Sequence, residues 1–210
     1  MRQIIHILLL IVVALALLCC ESRVESNGAY EVTVKLRHGT VHSDSATLVV
    51  VDDDYGRLRI LGGASLKDST FHFAGHTPHP RIAYIDFVTD SLPYQLYFVL
   101  EPTSINITLE PGQWLIKGGK GNLSYQSFLN RHAHLTAERD TLWRKYVRMG
   151  IDSTLTWDAE RAALRTDSLL QDSLQCITVE RIKRGDLASR LIKQRLLHTL
   201  TRESLDKLKE

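Results

Sequence analysis

Cysteine is scarce in this chain of 210 residues: there are three, of which Cys19 and Cys20 stand side by side and Cys176 stands alone. Such a set builds no disulfide framework. No Cys-x-x-Cys occurs anywhere, so the paired thiols that thiol–disulfide exchange normally needs are missing. An excess of charge of one sign is lacking too, because 26 Lys and Arg oppose 24 Asp and Glu to leave +2. A nucleic-acid binder is expected to show a much larger basic excess or a basic stripe, so that class of partner is excluded. No Gly-x-Ser-x-Gly elbow supports a serine hydrolase. Gly118-Gly119-Lys120-Gly121 lacks the P-loop spacing and the Lys-Ser or Lys-Thr that would follow, and reads as a strand-to-helix joint. Asp52-Asp53-Asp54 lacks the alternating ligands and terminal Glu of a calcium loop, and reads as a turn. No catalytic constellation emerges, so neither enzyme activity nor a cofactor is expected. What remains is an ordinary globular composition, 44% hydrophobic and 24% charged, in a chain long enough for one domain and an appendage.

The one long apolar run is N-terminal. It covers residues 4–18, is broken only by His6, and follows Met1-Arg2. Roughly 15 apolar residues suit a signal-peptide core better than a membrane span, which takes about 20. The run ends at Leu17-Leu18-Cys19-Cys20, with polar Glu21-Ser22-Arg23 directly after. This resembles the lipobox of bacterial lipoproteins, with Leu three before the modified Cys and a small residue just before it. A thiol takes the diacylglyceryl group, and the peptidase admits only a small side chain at the residue to be cut off. Cys19 is small and Leu18 is not, so the expected lipidation site is Cys20. The organisation that follows is a signal peptide over 1–20 and a flexible tether over 21–28. The N-terminal lipid anchor would then hold the chain to a membrane of the cell envelope, facing the periplasm or the cell surface.

From residue 29 to 119 the hydrophobic period is two. Tyr30, Val32, Val34 and Leu36 alternate with Glu31, Thr33, Lys35 and Arg37, as in a strand with one wet face. Residues 46–51 form a continuous apolar run ended by the aspartates. A strand over 57–61 is expected to break at Gly62-Gly63. Further strands are predicted over 70–74, 81–88, 95–101, 104–109 and 113–117. Seven or eight short strands separated by Pro and Gly predict an antiparallel sandwich or a partly open barrel. Parallel pairing is not expected, since no helix separates the strands.

After Gly118, Gly119 and Gly121 the period becomes that of a helix. Tyr125, Phe128, Leu129, His132, Leu135, Leu142, Trp143, Tyr146 and Val147 recur at steps of three and four, with Asn122 or Ser124 as the expected cap and Gly150 as the stop. A second helix is predicted over 156–184, ended by Gly185. A third begins after Asp186 and carries Leu187, Leu191, Ile192, Leu196, Leu200 and Leu205. The fold class is therefore α+β by segments: a β-sandwich followed by a helical region over 122–210 of about three antiparallel helices.

Three segments carry a family likeness. They are residues 70–75 (Thr-Phe-His-Phe-Ala-Gly), residues 99–109 (Val-Leu-Glu-Pro-Thr-Ser-Ile-Asn-Ile-Thr-Leu) and residues 118–128 (Gly-Gly-Lys-Gly-Asn-Leu-Ser-Tyr-Gln-Ser-Phe). In series they resemble domain of unknown function 4369, which typically opens thioredoxin-like lipoproteins of Bacteroidetes. The likeness covers roughly residues 28–130, and the later helices are similar to that family's inter-domain linker. It implies a fold and an envelope location. It cannot carry over redox activity, because the Trp-Cys-x-x-Cys of the thioredoxin-like part is not in this sequence.

Other candidates read more plainly. His72, His76 and His79 fall within eight residues, but no Cys lies nearby and two of them flank a Thr-Pro turn, so exposed histidines are expected. His132 and His134 are two apart and cannot share a helix face. Cys176 is expected to be a buried, inert hydrophobe. Arg181, Lys183, Arg184, Arg190, Lys193 and Arg195 alternate with acids and apolar residues, as on a solvated face. Asn106 and Asn122 open sequon-like triplets that mean little in a bacterial lipoprotein. No metal site is expected. The expected function is that of a non-enzymatic, lipid-anchored envelope protein acting as a binding or scaffolding module for another envelope protein. The resemblance implies an alternative: an accessory to, or remnant of, a thioredoxin-like thiol–disulfide redox lipoprotein.

Overall fold

Alternation along the first strand sets the architecture. In β1 (Ala29–Leu36) the side chains of Tyr30, Val32, Val34 and Leu36 are buried, whereas Glu31 and Lys35 are wet. The computed structural model describes residues 28–37, 40–52, 57–88, 94–111 and 113–209. Seven more strands follow: β2 (Ser45–Asp52), β3 (Arg57–Ser65), β4 (Thr70–His76), β5 (Arg81–Phe87), β6 (Tyr94–Leu100), β7 (Ser104–Glu110) and β8 (Gln113–Lys117). They form two four-stranded sheets, ordered β4-β1-β7-β8 and β3-β2-β5-β6, which face each other as a sandwich. The core between them includes Val32, Val34, Phe71, Ile105 and Ile107 from one sheet and Leu48, Val50, Ile85, Leu96 and Phe98 from the other. Burial of this apolar surface, at about 25 cal/mol per Å², is the main term holding the module together.

Two expectations about the sheets are corrected. Gly62 and Gly63 do not end β3. The strand continues to Ser65, and the register against β2 shifts between Leu48 and Val49, so that Leu48 faces Gly62 while Val49 faces Ile60. Leu61 is the extra residue of a bulge, and the glycines accept the bend it imposes. Nor is the pairing wholly antiparallel: β1 and β7 are parallel, with Val32 opposite Ile105 and Val34 opposite Ile107. A helix is one way to return the chain to the same end of a sheet. Here strands of the opposite sheet make that journey. As a consequence odd-numbered strands all run one way and even-numbered strands the other. β1, β3, β5 and β7 start at one end of the sandwich, and β2, β4, β6 and β8 finish there. That end is the base.

Helix α1 (Lys120–Ile151) starts at the base and runs back along the sandwich. At about 1.5 Å per residue its 32 residues extend about 48 Å, against about 25 Å for the strands, so it overshoots the sandwich by several turns. Its buried residues, Asn122, Tyr125 and Phe128, all lie in its first three turns. Helix α2 (Trp157–Lys183) returns antiparallel, capped by the Thr156 hydroxyl accepting from Ala159 N–H. Its buried residues concentrate in its second half, from Leu174 to Ile182. The distal parts of α1 and α2 therefore form a two-helix hairpin projecting beyond the sandwich. Gly150 does not stop α1. The helix runs to Ile151, and Ser153 takes the left-handed conformation (φ 53) that the sequence assigned to the glycine. The third helix is α3 (Leu187–Leu196), capped by Asp186 as expected. It is followed by a 3-10 turn at Leu197–Thr199 and a short α4 (Arg202–Lys207) capped by Thr201, so one predicted helix is two. Within the described residues no helix is long and apolar enough to cross a membrane.

Candidate functional site

Side-chain hydrogen bonds hold the join between sandwich and helices. Neither Asn122 nor Ser124 caps α1. The N-cap position is Gly119, and the cap is supplied from a distance by the Glu101 carboxylate, which accepts from Gly121 N–H at 3.0 Å. A carboxylate at a helix N-terminus also opposes the helix dipole favourably. Gly118 has φ 95, and a β-carbon there would meet the Ser104 carbonyl at 2.0 Å, so no larger residue fits this turn. Asn122 is wholly buried. Its amide accepts from Val99 N–H at 2.8 Å and donates to the Val99 carbonyl at 2.7 Å and the Gly118 carbonyl at 3.0 Å. One turn on, Gln126 accepts from Ile116 N–H at 2.8 Å. β6 and β8 are the edge strands of the two sheets on this side, and an unpaired edge invites association with other chains. Two side-chain amides at i and i+4 thus seal both sheets with one helix face.

Two further links hold the helices down. Arg195 lies over the Tyr97 and Trp114 rings, 5.2 and 5.4 Å from their centroids, and donates to the Tyr125 hydroxyl at 3.2 Å. Burial raises the Tyr125 pKa and Arg195 partly offsets that. Arg181 is buried, against the expectation of a solvated basic face. It donates to Asp186 at 2.9 and 3.1 Å, to Ser124 at 2.7 Å and to the Ser189 hydroxyl, tying three helices together. Burial alone would raise the Asp186 carboxyl, but hydrogen bonds from Arg181 and Ser189 outweigh it and hold it below its ordinary value.

The projecting hairpin has a different character. Its internal clamp is Asp167, which accepts from Arg139 at 2.5 and 3.2 Å and from the Trp143 indole at 2.8 Å. The Arg139 hydrogen bond is the main cause of the lowered Asp167 pKa. Outside that seam it presents large apolar side chains to solvent: Val147, Ile151, Trp157, Leu164 and Leu169, the last two helix positions 52% and 68% exposed. A shallow groove along α1 runs past Trp143, Val147 and Ile151, bordered by Asp140, Arg144 and Arg148. Of the ten large apolar side chains exposed among the described residues, these five lie on the hairpin.

The residues singled out in the sequence disperse. Cys20 lies outside the described residues, as do Asp53 and Asp54. His72 is exposed on β4 beside the Thr33 hydroxyl at 3.3 Å, and His76 and His79 are exposed at the base. His132 is half-buried, its ring 5.6 Å from that of Phe128, and burial lowers its pKa. His134 sits apart in solvent, 3.6 Å from Glu138. Among the described residues no group of three or more His, Cys, Asp or Glu could hold a metal ion. Cys176 is exposed, not buried as expected. It lies one position before the buried Ile177, just off the apolar stripe, with its Sγ 3.6 Å from Glu180. The hairpin surface and the Asn122–Gln126 seal were missed by the sequence reading. The exposed Leu164 and Leu169, off the inward stripe, were the available signal for the first.

Residues 30–125 match the family model Domain of unknown function (DUF4369). The matched span runs from β1 to the first turns of α1, so it contains Glu101, Gly118 and Asn122 and leaves out the hairpin. No curated protein matches the chain.

Proposed function

We propose that this protein, whose residues 30–125 match the DUF4369 family model, is a non-enzymatic, lipid-anchored protein of the cell envelope that acts as a binding or scaffolding module. The projecting hairpin meets the partner, and the sandwich is its footing. The observation that carries the reading is the contrast in burial along α1 and α2: tight at the sandwich, and open where Val147, Ile151 and Trp157 face solvent. A helical face of this kind lays apolar anchors against another protein in the way recognition helices do. The anchor rests on the Leu17-Leu18-Cys19-Cys20 sequence.

Crosslinking in intact cells followed by capture from membranes tests the binding role. One envelope protein recovered with the wild-type chain and lost with Ile151→Glu plus Trp157→Ser is the expected result. Equal recovery with both chains contradicts it. Cys20→Ser tests the anchor separately, with loss of lipid modification and of membrane retention expected.

The exposure of Cys176 favours a second reading, an accessory to a separately encoded thioredoxin-like lipoprotein. A mixed disulfide trapped on non-reducing gels and abolished by Cys176→Ser would support it.

A further inference from the structure

Several of the basic residues that the sequence assigns to a solvated face gather around one groove. It is lined by the last turn of α2, one side of α3 and the end of α4. Its floor is apolar: Ile182 is buried, Leu205 and Leu208 are half-buried, and Leu197 is 38% exposed. Its rim is basic, with Lys183, Arg190, Lys193 and Lys209 exposed around it and no carboxylate among the lining residues. Ser189, Lys193 and Leu197 are four apart, which brings a cation and an apolar side chain to the same side of α3.

The excess of charge is local. Over the whole chain cations exceed acids by two, whereas the groove has four cations and no acid. The acids on the neighbouring turns are engaged, Asp186 by Arg181, Glu203 by Lys207 and Asp206 by Lys209. Lys183 and Lys193 make no ion pair among the described residues, so their charge is available to an occupant. The groove lies open along its side, which suits a segment laid across it better than a small molecule, whose site buries most of its surface. An apolar trough between helices accepts another helix that brings anchors at i, i+3, i+4 and i+7. Cations contributed by three elements call for several anions, more than one lipid head group carries.

We propose that this groove is a second docking site, and that its occupant is an acidic amphipathic helix of a partner protein. Its apolar face rests on Ile182, Leu197, Leu205 and Leu208, and its Asp and Glu flanks meet Lys183 and Lys193. The groove and the hairpin tip lie at opposite ends of α2, whose 27 residues extend about 40 Å, so the site does not depend on the hairpin reading and leaves room for two partners at once.

Fluorescence anisotropy on the full chain tests it with three labelled synthetic peptides: Leu and Glu in amphipathic helical order, the same composition scrambled, and the ordered peptide with Lys for Glu. The ordered acidic peptide is expected to bind about tenfold or more tighter than either control, and to weaken as salt is raised. Lys183→Glu with Lys193→Glu should lower its affinity about tenfold or more, and Leu197→Ser several-fold, all at exposed positions. Ile151→Glu plus Trp157→Ser should leave it unchanged. Equal binding of the scrambled peptide reduces the groove to a basic patch and overturns the proposal. Unchanged affinity in the charge-reversed chain, or a loss caused by the hairpin variant, overturns the placement. Saturable binding of dodecanoate in place of the peptide overturns it in favour of an anionic lipid.

Discussion

The two ends of α1 are made from similar sequence and do different work. Its first three turns place Asn122, Tyr125 and Phe128 against the sandwich with every donor and acceptor of the Asn122 amide used. Its last four turns leave Val147 and Ile151 in water and are held to α2 by the clamp at Asp167 and a hydrogen bond between Tyr146 and Glu160. Both ends show an apolar repeat at helical spacing. What separates them is whether polar groups of a neighbouring element are left needing partners. At the base two edge strands need them, and the helix supplies them.

The contrast is broken most severely at its root. Asn122→Ala leaves Val99 N–H, the Val99 carbonyl and the Gly118 carbonyl without partners, and unmet buried groups cost about 1–3 kcal/mol each. A loss of about 3 kcal/mol in urea unfolding is expected, enough to remove much of a small domain's stability. Gly118→Ala should cost about 2–3 kcal/mol, because a positive φ and a collision with Ser104 add together. Arg181→Met removes the cation shared by Asp186, Ser189 and Ser124. Since Asp186 is half exposed, about 2 kcal/mol is expected and not the full cost of an orphaned buried charge.

Changes in the hairpin should be smaller and local. Asp167→Asn weakens a clamp that is partly in water, so global stability falls by less than about 1 kcal/mol. Trp143 fluorescence should nevertheless report loosening of the hairpin. The same clamp has a pH signature. The Asp167 pKa is lowered in the folded chain, so its contribution is present above the ordinary carboxylate range and is lost as pH falls through the lowered value. His132 acts in the same direction in a higher window. Its pKa is lowered by burial, so the unfolded chain takes up the proton first, and stability declines as pH drops below the ordinary histidine range. His132→Phe should flatten that decline.

Much of the sandwich was legible in the sequence because a strand with one wet face writes itself as alternation, and β1 does so without exception. The parallel pairing of β1 with β7 was not, because periodicity records which face a residue takes and not which strand lies beside it. Gly62-Gly63 misled since a bulge at Leu61 uses glycines inside a strand as readily as a turn uses them outside one. Asn122 was assigned to its own helix because caps are local, whereas its partners are on β6, 23 residues earlier. Cys176 was expected indoors because free cysteines are usually buried, but the buried face of α2 passes from Gln175 to Ile177 and leaves it out. The hairpin surface was the hardest to see. Its apolar residues have the same types as the core, and only the lengths of α1 and β8 together show that nothing lies beside them.

Native-state hydrogen exchange on the full chain tests the division most directly. Amides of β6, β8 and residues 122–129 are expected to be strongly protected along with the central strands. Those of residues 140–165 should exchange orders of magnitude faster, opening without the rest. Uniform protection across both stretches would contradict the account, since the hairpin would then be part of the packed body and not a projection free to bind.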